Sequence, residues 1–273
     1  MDSEVLKLIL TIRIIRIFFT GGSTAFGFGS TSDKTTIPGF LQEYFDSEFK
    51  DLNIEIINAG INGADSYREI LLIKEKLINY EPDLIISYTG VNDSGGYSRE
   101  IIFDETYDEY VQNPFKFSSY PWYRTPFVIS NLITQNDIGN EIKPETLSDE
   151  QIKTYSESFR KNWSQSCDFL KEHNITSALI LQPSLITKKI LSDFEKQIEP
   201  ETKYRKQLLE NYAKEFELLD KKCDHVFDFR DMMGDTSETT YYDNVHMNDF
   251  GNKIIAEKIY KKILPIILEN TLD

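Results

Sequence analysis

Three apolar runs in the first third of the chain each end in a glycine-containing turn, and this constrains the fold more than any other feature. Arg16-Ile17-Phe18-Phe19 runs into Thr20-Gly21-Gly22-Ser23, and Leu52 to Asn58 runs into Ala59-Gly60-Ile61-Asn62-Gly63. Leu84 to Tyr88 then delivers Thr89-Gly90-Val91-Asn92-Asp93. Amphipathic helical spacing fills the gaps, with Leu41, Tyr44, Phe45 and Phe49 in one helix and a leucine and isoleucine stripe over Ala64 to Tyr80 in the next. Asp65 or Ser66 is placed to cap that second helix. Strand, helix, strand, helix, strand at this rhythm predicts a parallel sheet with right-handed crossovers, so the three turns gather at one sheet edge. That edge is where open α/β sheets put their chemistry.

The rest of the chain continues the pattern after one interruption. From Ser94 to about Asp149 the rhythm breaks into an aromatic-rich excursion that includes Tyr97, Phe103, Tyr107, Trp122 and Phe127. Packing onto the domain is the ordinary role of any one such ring, although long excursions on this side of a sheet also build binding walls. Glu150 to His173 predicts a helix, Ser177 to Leu181 a fourth strand, and Ile190 to Lys222 a long charged helical region. His225 to Phe229 predicts a fifth strand, and Asp249 to Leu268 a final helix. No repeat and no Pro/Gly/Ser-rich linker divides the 273 residues, which predicts a single domain over 1–273 with an insertion at about 94–149.

A net charge of −15 argues against nucleic acid or an anionic membrane as partner, since no basic field offsets phosphate. Val5 to Phe19 is apolar, but Lys7, Arg13 and Arg16 interrupt it, and a membrane span needs roughly 20 mostly apolar residues. No small-residue cleavage site follows, so a cytoplasmic location is the default expectation. Cys167 and Cys223 imply no disulfide framework; one bridge can form, but nothing in the sequence indicates it. The three histidines show no ligand spacing with these cysteines, and no metal site is expected.

Ser23 follows a strand on a tight glycine turn, which suits a nucleophile: little bulk surrounds it and backbone N–H groups lie close. Asp243 and His246, three residues apart in Asp-Asn-Val-His, can meet on one side of a turn. The acid would then fix the imidazole tautomer and support the imidazolium formed on proton uptake. Such a pair alone is more often a surface contact. His173 reads as helix-end material and His225 as the opening of a strand, which leaves His246 as the best base. The backbone N–H groups of Ser23 and Gly63, with the Asn92 side-chain amide, can surround an oxyanion. Taken singly, Gly63 is more simply an Asn-Gly turn residue and Asn92 a turn or cap residue.

In combination, these segments resemble the SGNH hydrolases, the group that includes the GDSL esterases and lipases. Gly21-Gly22-Ser23-Thr24 is similar to the nucleophile segment, Asn58 through Gly63 to the oxyanion-glycine segment, Gly90-Val91-Asn92-Asp93 to Gly-x-Asn-Asp, and Asp243 to His246 to Asp-x-x-His. Gly60 and Gly63 both fit the second segment, and Gly63 is preferred because Ala64-Asp65-Ser66 follows it. The departures at Gly22 and Thr24 are expected to leave the chemistry untouched but to weaken an inference to lipase-like substrates. The resemblance implies a flavodoxin-like three-layer α/β/α sandwich with a parallel sheet of about five strands. It also implies catalysis by Ser23, His246 and Asp243 with an oxyanion hole from Ser23, Gly63 and Asn92, and no cofactor or metal.

The activity expected is a serine-dependent carboxylic-ester hydrolase removing short acyl groups, such as acetyl, from a sugar, glycan or small-molecule ester. An acyltransferase on the same scaffold and a catalytically silent binding or assembly protein are the alternatives. A nucleotide-binding module fails on detail. The first turn lacks Gly-x-Gly-x-x-Gly in register and a phosphate-binding lysine, and Asn58 stands where an acid would meet ribose.

Overall fold

The computed structural model describes residues 13–49, 52–96, 146–198, 203–234 and 236–270. Five strands, β1 (Ile14–Gly21), β2 (Asn53–Gly60), β3 (Leu84–Thr89), β4 (Thr176–Leu181) and β5 (His225–Asp228), form one sheet. Their order is β2-β1-β3-β4-β5, and every pairing is parallel. The switch in order falls at β1, so the turns after β1, β2 and β3 lie side by side at the carboxyl edge. Register holds them level: Gly21 pairs with Gly60 on one side and Tyr88 on the other.

Alternation along the strands builds the two faces. Ile15, Ile17, Phe19, Ile86, Tyr88 and Ile180 join one buried cluster, whereas Phe18, Ile85, Leu179 and Leu181 join the other. The first cluster is closed by α2 (Ile37–Glu48) and α7 (Asp249–Asn270), through Phe40, Leu41, Phe45, Ile255, Ile259 and Ile263. The second is closed by α3 (Ser66–Glu75), α5 (Asp149–Glu172) and α6 (Lys203–Leu219), through Tyr67, Ile70, Phe159, Trp163, Leu208 and Tyr212. This is a three-layer α/β/α sandwich. Two short helices, α1 (Ser23–Phe26) and α4 (Val91–Gly96), complete the set used below.

Differences from the sequence reading are local. The helix expected over Ala64 to Tyr80 runs only over Ser66–Glu75 and gives way to a 3-10 turn at Leu77–Tyr80. Its cap is Asp65, whose side chain accepts from Arg68 N. The charged region from Ile190 to Lys222 is not one helix. Within it, residues 195–197 form a single 3-10 turn, and the described helix runs over Lys203–Leu219.

Most of the aromatic excursion, including Tyr97, Phe103, Tyr107, Trp122 and Phe127, lies outside the described residues. The cysteines depart from expectation: Cys167 in α5 is disulfide-bonded to Cys223, in the turn after α6. Both are buried, which the sequence alone did not indicate. Among the described residues, no helix is long and apolar enough to cross a membrane.

Candidate active site

Ser23 opens the one-turn helix α1 directly after β1, a tight transition that depends on glycine. Gly21 has a φ of +150°, and a side chain there would meet the Tyr88 carbonyl oxygen at 2.5 Å. Gly27 ends the helix in the left-handed region at φ +93°, where glycine alone is unstrained. The half-buried Ser23 hydroxyl is thereby presented at the carboxyl edge of the sheet.

Asp243 and His246 arrive from the loop between β5 and α7. Tyr241 and Met247 form an antiparallel bridge at its root, and Tyr242 N donates to the His246 carbonyl. Inside the loop, Asp243 Oδ1 accepts the backbone N–H groups of Val245 (2.8 Å) and His246 (2.7 Å). Its other oxygen lies 2.6 Å from His246 Nδ1. His246 Nε2 is 2.7 Å from Ser23 Oγ, across 223 residues of sequence. The structure therefore brings Ser23, His246 and Asp243 into one hydrogen-bonded line. Burial alone would raise the Asp243 carboxyl, but the bonds from the His246 ring and from the two backbone N–H groups hold it below the usual carboxylate range. It stays ionised beside the ring.

Gly63 sits in the turn after β2 at φ +69°, and the buried Arg68 guanidinium donates to its carbonyl oxygen at 2.8 Å. Asn92, in the first turn of α4, donates through Nδ2 to the Ala64 carbonyl at 2.7 Å, leaving its second N–H for another acceptor. Among the described residues, the backbone N–H groups of Ser23 and Gly63 have no protein acceptor. Gly22 ties these turns together: a Cβ there would lie 2.1 Å from Asn92 Nδ2 and 3.2 Å from the Ala64 carbonyl oxygen. The missing side chain at Gly22 is the space that Asn92 occupies. Gly60 also has a packing task, since a Cβ there would meet Phe26 N at 2.2 Å.

The sequence reading missed several neighbours. Phe28 packs on the His246 ring with centroids 4.7 Å apart, and Tyr242 stacks on it at 5.9 Å. Tyr242 donates its hydroxyl to the Phe28 carbonyl at 2.7 Å. Burial, reinforced by the Asp243 carboxylate, pushes its phenol up to about 12, so it remains a donor. Gln182, at the end of β4, accepts from Thr24 Oγ1 at 3.1 Å. Beneath the turns after β2 and β3, the fully buried Asp93 accepts from Ser66 N. His173 caps the end of α5 and His225 begins β5, so neither belongs to this cluster.

Comparison with known proteins bears on the fold and the family. No curated protein matches the chain significantly. Among solved structures, the chain is similar to an acetyl xylan esterase, AlAXEase, at 18% identity and a TM-score of 0.55, covering 91% of this chain and 100% of that one. It is similar to the esterase EstA from Pseudoalteromonas sp., in a structure inhibited by monoethylphosphonate, at 16% identity and a TM-score of 0.52, covering 93% and 98%. A catalytic mutant of an acetylxylan esterase from Geobacillus stearothermophilus matches at 14% identity and a TM-score of 0.55, covering 91% and 93%. At such identities the likeness speaks for the fold. A family model, the GDSL-like Lipase/Acylhydrolase family, matches residues 19–254, which spans all four site segments. The chain therefore belongs to the GDSL-like lipase/acylhydrolase family of ester hydrolases.

Proposed function

We propose that the chain is a serine-dependent carboxylic-ester hydrolase in which Ser23, His246 and Asp243 are the catalytic residues. The observation that carries this is the continuous line from Ser23 Oγ through His246 to Asp243, at 2.7 and 2.6 Å. Ser23 attacks the ester carbonyl as His246 Nε2 takes its proton, and Asp243 holds the ring and supports its positive charge. The N–H groups of Ser23 and Gly63 and the second N–H of Asn92 receive the oxyanion. His246 returns the proton to the departing alcohol, and water then hydrolyses the acyl-enzyme by the same steps.

The substrate class we infer is a short acyl ester, such as an acetyl group on a sugar or other ring-bearing alcohol. Phe26 and Phe28 support it: both rings are half exposed on the turn that carries Ser23, where they offer flat apolar surface to a ring. Two of the similar structures are acetyl xylan esterases, which points the same way. We infer a single domain over 1–273. The buried disulfide supports an oxidising compartment in place of the cytoplasm that the sequence led us to expect. The test is turnover of p-nitrophenyl acetate and of acetylated sugars by the purified protein and by Ser23→Ala. Hydrolysis lost in the variant, with circular dichroism unchanged, is the result expected; equal turnover removes Ser23 as nucleophile.

A further inference from the structure

The segment that follows β4 carries a buried ion pair that the steps above do not use. Lys188 and Glu195 have side chains with no exposure at all, and their charged ends meet at 2.6 Å. Lys188 Nζ also donates to the Glu238 carbonyl at 2.7 Å and lies 3.1 Å from Thr240 Oγ1. Glu195 Oε1 accepts the backbone N–H groups of Thr240 at 2.9 Å and Tyr241 at 3.0 Å. Its other oxygen accepts Ser192 N at 2.9 Å.

These partners are specific in place. Thr240 and Tyr241 are the residues through which the chain enters the loop that bears Asp243 and His246. Two further bonds join the same segments: Leu185 N donates to the Asn244 carbonyl at 2.9 Å, and Thr239 Oγ1 to Ser192 Oγ at 2.8 Å. The segment is itself anchored at the nucleophile turn, since Gln182 receives Thr24 Oγ1.

Taking two charges out of water carries a desolvation cost that their attraction only offsets, and apolar packing would hold two segments together as well. What the pair adds is direction, because an ammonium and a carboxylate that also holds three N–H groups fit in one arrangement only. Building on the hydrolase reading, we propose that Lys188 and Glu195 are positioning residues that set the register of the Asp243–His246 loop against Ser23.

The test compares wild-type protein, Glu195→Gln, and the double variant Lys188→Met with Glu195→Gln, in which both charges leave together and an acceptor remains. Three readouts are taken: kcat and KM for p-nitrophenyl acetate, the rate at which a fluorophosphonate labels Ser23, and the downfield proton resonance of the His246 Nδ1–H bond to Asp243. The result expected for each folded variant is a kcat at least tenfold lower, KM within threefold of wild type, labelling slowed in parallel, and the downfield resonance displaced or lost. If Glu195→Gln does not fold, the double variant bears the same expectation alone. A folded variant with wild-type kcat, or one with reduced kcat and an unmoved resonance, overturns the positioning role. Wild-type turnover and its loss in Ser23→Ala judge the hydrolase reading separately.

Discussion

At the residue scale, the site depends on a missing side chain as much as on those present. Gly22 leaves the space into which Asn92 Nδ2 fits, so Gly22→Ala should displace the amide although it alters no reacting group. Both Gly22→Ala and Asn92→Ala are expected to lower kcat for p-nitrophenyl acetate by about 100–1,000-fold, the usual effect of losing one oxyanion donor. Losses below threefold would make Asn92 a turn residue only. Asp243→Asn is expected to cost about 10⁴-fold in kcat, because an amide facing Nδ1 favours the wrong tautomer; steady-state kinetics on the folded variant checks this. The segments that carry Ser23, Gly63 and Asn92 were legible as glycine turns at strand ends, and Asp243 and His246 as an Asp-x-x-His pair ahead of the last helix. Phe28 and Tyr242 were not: Phe28 meets the imidazole from a loop far away in the chain, and nothing in the local spacing of Tyr242 says that its ring stacks there.

At the scale of elements, the turns after β2 and β3 rest on a buried carboxylate. Burial, and then repulsion from Asp65, push Asp93 up to about 7 from an ordinary 3.8, although its bonds from Ser66 work in the opposite direction. The folded protein thus binds a proton between those values that the unfolded chain releases. Asp93's contribution to stability is in full below about pH 4 and is lost as pH rises through about 7. Glu69, raised by burial and by Asp93, acts with the same sign. Asp93→Asn should therefore flatten the fall in Tm between about pH 5 and about pH 8, as read by thermal denaturation. An unchanged or steeper fall would contradict the assignment. The strands, and the helices that pack on them, were legible from alternation and periodicity. The segment from Lys188 into the charged region from Ile190 to Lys222 was not, because Lys188 and Glu195 look like solvated charges until the chain entering the Asp243–His246 loop buries them.

For the molecule as a whole, the sandwich follows from the repeated strand–helix rhythm, and the disulfide adds to it what composition could not indicate. Cys167 and Cys223 are 56 residues apart, and pairing depends on α5 and α6 packing side by side. By chain entropy, closing a loop of that length stabilises the fold by about 4 kcal/mol. Reductant, or Cys167→Ser with Cys223→Ser, is expected to lower Tm by several degrees while sparing kcat at assay temperature; an unchanged Tm would remove the bond from the account. The central claim is larger: four turns far apart in sequence meet around one hydroxyl. Its most direct measurement is labelling with a fluorophosphonate followed by peptide mass spectrometry, on wild-type protein and on His246→Ala. One adduct, on Ser23, with labelling slowed by orders of magnitude in the variant, is the result expected. No adduct on Ser23 in a protein that hydrolyses esters, or equal labelling without His246, would contradict it.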